Sequence, residues 1–154
     1  MGGYLILVAV FFFSFLFTLT PILFQSLGLD WLAEANYRAF QPFCHQLSHR
    51  SLHVWGFKLA VCARCSGVYL GFLAGALIYP VFRPLESEKM VPLWFIALSF
   101  TPLVLDGFTQ LLGFRESNNL LRLATGLLFG VGASSILVVV VARMFREDEV
   151  DINR

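Results

Sequence analysis

The chain has 154 residues, one domain's worth. Hydrophobic residues make up 58% and charged residues 14%, with a mean hydropathy of +0.75, which excludes an ordinary soluble domain. The net charge of +1 supplies no basic field for nucleic acid, and the one charge run, from Arg146-Glu147-Asp148-Glu149 onward, reads as a solvated polar tail over 146–154.

The first apolar run extends from Tyr4 to Leu29. It lacks a basic leader and a small-residue cleavage pattern, so it is expected to be a transmembrane helix and not a signal peptide. Three further spans are expected at about Ser66–Phe82, Pro92–Gly113 and Leu123–Phe145, each near the roughly 20 residues that cross hydrocarbon. The expected fold is therefore an all-α membrane protein, a single integral domain of four transmembrane helices in the cell (inner) membrane, in contact with lipid. Two connections are short: "RPLESEKMV", from Arg83, is a charged turn and "FRESNNLLR", from Phe114, a polar one.

The segment over 30–65, between the first two spans, is different. In "DWLAEANYRAFQP", Asp30 can cap a helix, Trp31, Tyr37 and Phe40 suit a headgroup layer, and Pro42 ends the pattern, which predicts a short helix on the membrane surface. "VWGFKLAVC" then offers two apolar runs about Gly56, which reads as a hairpin ahead of a "CARC" turn. With four spans, the first and third connections lie on one side of the membrane, so this segment is expected to face "RESNN". Six basic residues on that side against five on the other do not orient the bundle.

All three cysteines and all three histidines fall within the 22 residues from Cys44 to Cys65. Cys62-x-x-Cys65 is the spacing at which two thiolates address one ion from a tight turn, and Cys44 with His45 would complete a tetrahedral set. His49 and His53 are substitutes for the nitrogen ligand, because neighbours such as Cys44 and His45 rarely reach the same ion. Three thiolates and an imidazole suit zinc or iron. The same residues permit two plainer uses: cysteines as small buried hydrophobes, or Cys62 and Cys65 as a reactive pair at a helix start.

Two rows of small residues follow. Gly67, Gly71 and Gly75 recur every four residues in the second span, and Gly126, Gly130 and Ser134 do so in the fourth. Such ridges bring backbones close, either within the chain or between copies as a homo-oligomer or membrane-complex subunit. In the third span Asp106 and Gln110 share a helical face, and Pro102 frees the carbonyl of Leu98. An intramembrane carboxylate is a functional candidate, with Arg122 or Arg115 as its expected partner. Together with Arg50, Arg64, Glu116, Asn118 and Asn119, these residues form a candidate polar site beside the cysteines.

"CHQLSHRS", "CARCSGVYLGFLAG" and "DGFTQLLGFRESNNLLRLATGLLFG" resemble the signature of a family of small membrane proteins of bacteria and archaea, a domain of unknown function. The resemblance covers about Cys44 to Gly130, with Ser66 where threonine is expected. It implies that both polar blocks belong to one design, and it favours His45 over His49 and His53 as a ligand. It supplies no activity.

Three functions follow from these residues: a structural or ligand-binding metal site of zinc type, a thiol–disulfide oxidoreductase using Cys62 and Cys65, or a metal-ion or proton transporter using Asp106 and Gln110. The oxidoreductase would need a partner, since only Cys44 remains to pass electrons onward. There is no nucleotide loop, hydrolase triad or carboxylate pair at catalytic spacing, so an enzyme is not the favoured reading.

Overall fold

Apolar length and proline chemistry together shape the bundle. The computed structural model describes residues 2–85 and 90–152, with side chains to residue 145. Its elements are α1 (Gly2–Ser26), α2 (Asp30–Phe40), a 3-10 turn (Ser48–Arg50), β1 (Ser51–Val54), β2 (Phe57–Cys62), α3 (Ala63–Phe82), α4 (Leu93–Leu111) and α5 (Asn119–Ile152). Four of them are long and apolar enough to cross a membrane: α1, α3, α4 and the stretch Asn119–Phe145 of α5. The protein is thus an all-α membrane protein whose long first connection carries a small antiparallel hairpin.

Proline inside a helix orphans the carbonyl four residues earlier, and two such carbonyls find partners from elsewhere in the chain. Pro21 in α1 frees the carbonyl of Phe17, which accepts from Asn36 Nδ2 of α2 at 3.1 Å. Pro80 in α3 frees that of Ala76, which accepts from Tyr4 Oη at 3.1 Å. The first bond straps the surface helix to α1; the second ties α1 to α3. Phe11, Ala76, Tyr79, Val138 and Val139 form the core shared by α1, α3 and α5.

The glycine ridges of α3 and α5 face one another within the chain. A Cβ at Gly67 would lie 2.2 Å from the carbonyl oxygen of Leu123, one at Gly71 2.3 Å from that of Leu127, and one at Gly130 2.4 Å from that of Val68. Only glycine admits this approach. An assembly of copies through these same ridges would have to displace that packing.

The element ends differ from expectation in instructive ways. α3 starts at Ala63, so "CARC" is not a turn: Cys62 is the extended residue before the helix (φ −67°, ψ 162°) and Cys65 already lies in its first turn. α5 starts at Asn119, because the side chain of Asn118 accepts from the backbone N–H of Leu121 at 2.7 Å and caps it. Its backbone stays helical to Ile152, through most of the expected tail. Residues 86–89 of the charged turn, and residues 153–154 of the tail, lie outside the described residues.

Candidate metal centre and its arginine-lined cavity

Cys44 is delivered by the end of α2. Its backbone N–H donates to the carbonyl of Phe40 at 3.0 Å, and Phe40, Cys44, Ala60 and Val61 form a second small core. The hairpin brings the other two cysteines. Trp55 (φ +53°) and Gly56 (φ +85°) make a two-residue turn with both residues in the left-handed region, as the hairpin twist demands. β2 then runs as "LAV", three residues buried in succession, into Cys62 at the mouth of α3.

Further bonds clamp the segment. Tyr37 Oη donates to the carbonyl of Lys58 at 2.6 Å, Gln46 Nε2 to that of Tyr37 at 2.7 Å, and Lys58 Nζ to that of Gln46 at 3.0 Å.

The Sγ atoms of Cys44, Cys62 and Cys65 all lie within 4.8 Å of one another. No disulfide joins them, and the backbone N–H of Cys62 donates to Cys44 Sγ at 3.2 Å. Hydrogen bonds from the thiols of Cys44 and Cys65 hold Cys62 well below the ordinary thiol value, whereas the hydrogen bond to Cys62 raises Cys44. Three thiol groups this close have the donor set and spacing to hold a metal ion.

The histidines are not brought to this group. His45 is exposed: Cys44 is turned inward, and His45, followed by Gln46 at φ +50°, lines the same cavity as the three cysteines without joining their close group. His49 Nε2 instead accepts from Arg50 Nε at 3.2 Å, and His53 Nε2 lies 3.3 Å from Ser48 Oγ. His49 lies in the 3-10 turn and His53 in β1, so neither expected substitute joins the thiols. Among the described residues the close group is therefore three cysteines, without the expected nitrogen ligand.

The second polar block lies alongside. Asn119 Nδ2 reaches the carbonyls of His49 and Ser51, both at 3.3 Å, which joins the third connection to the first. α4 continues past Leu105, and Asp106 is 2% exposed. Its partners are Arg64, which donates to Oδ2, and Arg115, which donates to Oδ1 at 3.0 Å. Gln110 Nε2 also donates to Oδ2, at 2.9 Å.

Of the two expected partners Arg115 is present, whereas Arg122 is not in direct contact with the carboxylate. It donates through Nη2 to Gln110 Oε1 at 3.1 Å and through Nη1 to Asn119 Oδ1 at 3.0 Å, which places it one residue removed from the carboxylate. Glu116 is exposed, and Asn118 serves as the cap. Sequence reasoning passed over Asn36 and Tyr4 as donors to carbonyls, although Pro21 and Pro80 announced the orphans; for Ser117, buried in the third connection, no signal was present.

A cavity of about 320 Å³ joins the two blocks. Cys44, Cys62 and Cys65 line one wall, and Arg50, Arg64, Arg122 and Gln110 line another. The sulfur group and the arginine network thus open on the same space.

Comparison with known proteins places this arrangement. An uncharacterized protein of Methanocaldococcus jannaschii is 44% identical over 94 residues, which are 61% of this chain and 60% of that protein. A second uncharacterized protein, from Methanothermobacter thermautotrophicus, is 38% identical over 100 residues, 65% of this chain and 88% of that protein. The chain thus spans about 60% of the length of the first of these relatives. No solved structure matches. Residues 44–136, from the first cysteine through the glycine ridge of α5, match the family described as predicted membrane protein (DUF2085), and the chain belongs to that family.

Proposed function

We propose that Cys44, Cys62 and Cys65 hold one metal ion of zinc type as thiolates, and that this ion pins the first connection onto α3 while leaving a coordination position open toward the arginine-lined cavity. The observation that carries this is the mutual 4.8 Å limit on the three Sγ atoms, which come from three separate elements of structure. Tetrahedral coordination with metal–sulfur bonds of about 2.3 Å needs sulfurs about 3.8 Å apart, so the thiols need move inward by only about 1 Å. Iron is compatible with the same donors.

A connection with so small a core of its own gains folding free energy from such an ion, since ligands scattered in the unfolded chain are gathered by it. The carboxylate of Asp106 already has both oxygens engaged by cations, which weighs against its serving as a proton relay. The reading is tested by elemental analysis of the protein in mild detergent beside the variant Cys44→Ser/Cys62→Ser/Cys65→Ser. About one zinc or iron per chain, lost in the variant, is the expected result. Absence of metal, with Cys62 and Cys65 shielded from alkylation until a reductant is added, would overturn it in favour of a thiol–disulfide enzyme.

A further inference from the structure

We infer that the cavity beside the cysteines is a binding site for a phosphate group, held by Arg50, Arg64 and Arg122. The metal reading sets how much positive charge the site carries, and the inference rests on that reading only to that extent. Arg122 is the strongest indication. It is 6% exposed, and its hydrogen bonds go to the neutral amide oxygens of Gln110 and Asn119 at 3.1 and 3.0 Å. Among the described residues no carboxylate lies within ion-pair distance of Arg122 or of Arg50. A buried guanidinium without a counter-ion is expensive, so its retention calls for an anion from outside the chain.

Arg64 adds a second, independent indication: its Nε is buried and has no hydrogen-bond partner among the described residues, although its Nη2 is bound to Asp106. Arg50 is exposed at the rim, donating to His49, and completes the wall.

The charge favours a divalent oxyanion. Arg50, Arg64, Arg115 and Arg122 set four positive charges against the single carboxylate of Asp106, an excess of three. Three thiolates around a divalent ion carry a net charge of minus one and leave two to be balanced. A phosphate monoester or free phosphate supplies about two negative charges near neutral pH. It also supplies oxygens in the spacing that planar guanidinium forks match.

The volume of about 320 Å³ stands at the lower end of small-molecule sites, with room for a phosphate and a small substituent. The cavity lies where α3 and α5 begin and α4 ends, the level at which lipid phosphates gather, so the group could arrive free or on a lipid headgroup.

The test uses the full chain in detergent, titrated calorimetrically with inorganic phosphate at low salt, and the same chain in phosphatidylcholine nanodiscs with and without phosphatidic acid. Arg122→Gln removes the buried cation. Arg50→Gln removes the exposed one, where folding is not at stake, and Arg38→Gln, on the surface of α2 and paired with Glu34, is the control. Binding of phosphate that weakens about ten- to a hundredfold in both cavity variants and is unchanged in Arg38→Gln supports a site for the free ion. Selective retention of phosphatidic acid by the wild type, lost in Arg50→Gln, supports the same chemistry on a lipid.

Failure of both probes to bind, or equal binding by wild type and Arg50→Gln, overturns the inference. Metal content measured on the same samples separates the two readings. Metal without phosphate binding overturns this one alone, and phosphate binding without metal supports it while removing the metal.

Discussion

Replacing Asp106 by Asn keeps the side chain's shape and removes its charge. In the wild type the carboxylate is 2% exposed and pairs with two guanidinium groups, those of Arg64 and Arg115, whose side chains are 27% and 49% exposed. In Asp106→Asn those cations face each other across an amide whose NH2 cannot accept from either. Stranding a charge by removing its buried partner costs about 3–5 kcal/mol, and the partial exposure of both arginines sets the expected cost near the lower end, about 3 kcal/mol. Arg115→Gln removes only the half-exposed arm and should cost about 1 kcal/mol or less. Arg64→Gln leaves Asp106 held by Arg115 and Gln110, for an expected cost of about 2 kcal/mol. The double variant Asp106→Asn/Arg64→Gln should then fall short of the summed single losses by about 1 kcal/mol or more, because each removes the reason for the other. Reversible unfolding in detergent, followed by circular dichroism, measures all four. Strict additivity, or a loss in Asp106→Asn within about 0.5 kcal/mol of zero, would refute the view that this carboxylate is the keystone of the arginine network.

Other perturbations probe separate parts of the design. Gly71→Ala sets a Cβ 2.3 Å from the Leu127 carbonyl oxygen and 2.9 Å from the Gly130 Cα, both backbone, so α3 and α5 must part. The strain of about 1–3 kcal/mol outweighs the helix-propensity gain of about 1 kcal/mol, and a lowered unfolding midpoint in detergent is expected. Tyr4→Phe re-orphans the Ala76 carbonyl and should lose about 1 kcal/mol in the same assay. Asn118→Ala should lose about 1 kcal/mol and speed hydrogen exchange at the first amides of α5. A strong chelator should lower the thermal midpoint of the wild type and leave the triple Cys→Ser variant unmoved.

The four membrane helices were legible because hydropathy over about 20 residues is a coarse, additive signal. Their ends were not, wherever a helix begins in polar residues. Ala63-Arg64-Cys65 and Asn119-Leu120-Leu121-Arg122 are the first turns of α3 and α5, yet Arg64 and Arg122 interrupt the apolar count and pushed both starts inward. Asn118 was a capping signal that could have corrected the second; Cys62 gave no such sign, since its side chain makes no cap bond. The histidines failed for a related reason. Closeness in sequence to the cysteines does not fix direction, and the backbone from Leu47 to Val54 passes through a 3-10 turn into a strand that leaves His49 and His53 outside the close thiol group.

Joining the two polar blocks required only topology: an even number of spans separates the connections, and Asn119 closes the distance to His49 and Ser51. What topology could not reveal was the pairing within the joined site. Asp106 and Arg122 are 16 residues apart across a single turn, yet the structure pairs the carboxylate with Arg115, the other expected partner, and with Arg64, which comes from the other half of the chain. Arg64 lies between Cys62 and Cys65, so the carboxylate of α4 holds a residue in the middle of the C-x-x-C segment. The freed Arg122 is in turn left with amide partners and a face on the cavity. The ion pairs of Asp106 thus reach the residue between two of the cysteines and leave beside them a buried cation, Arg122, with no carboxylate at ion-pair distance among the described residues.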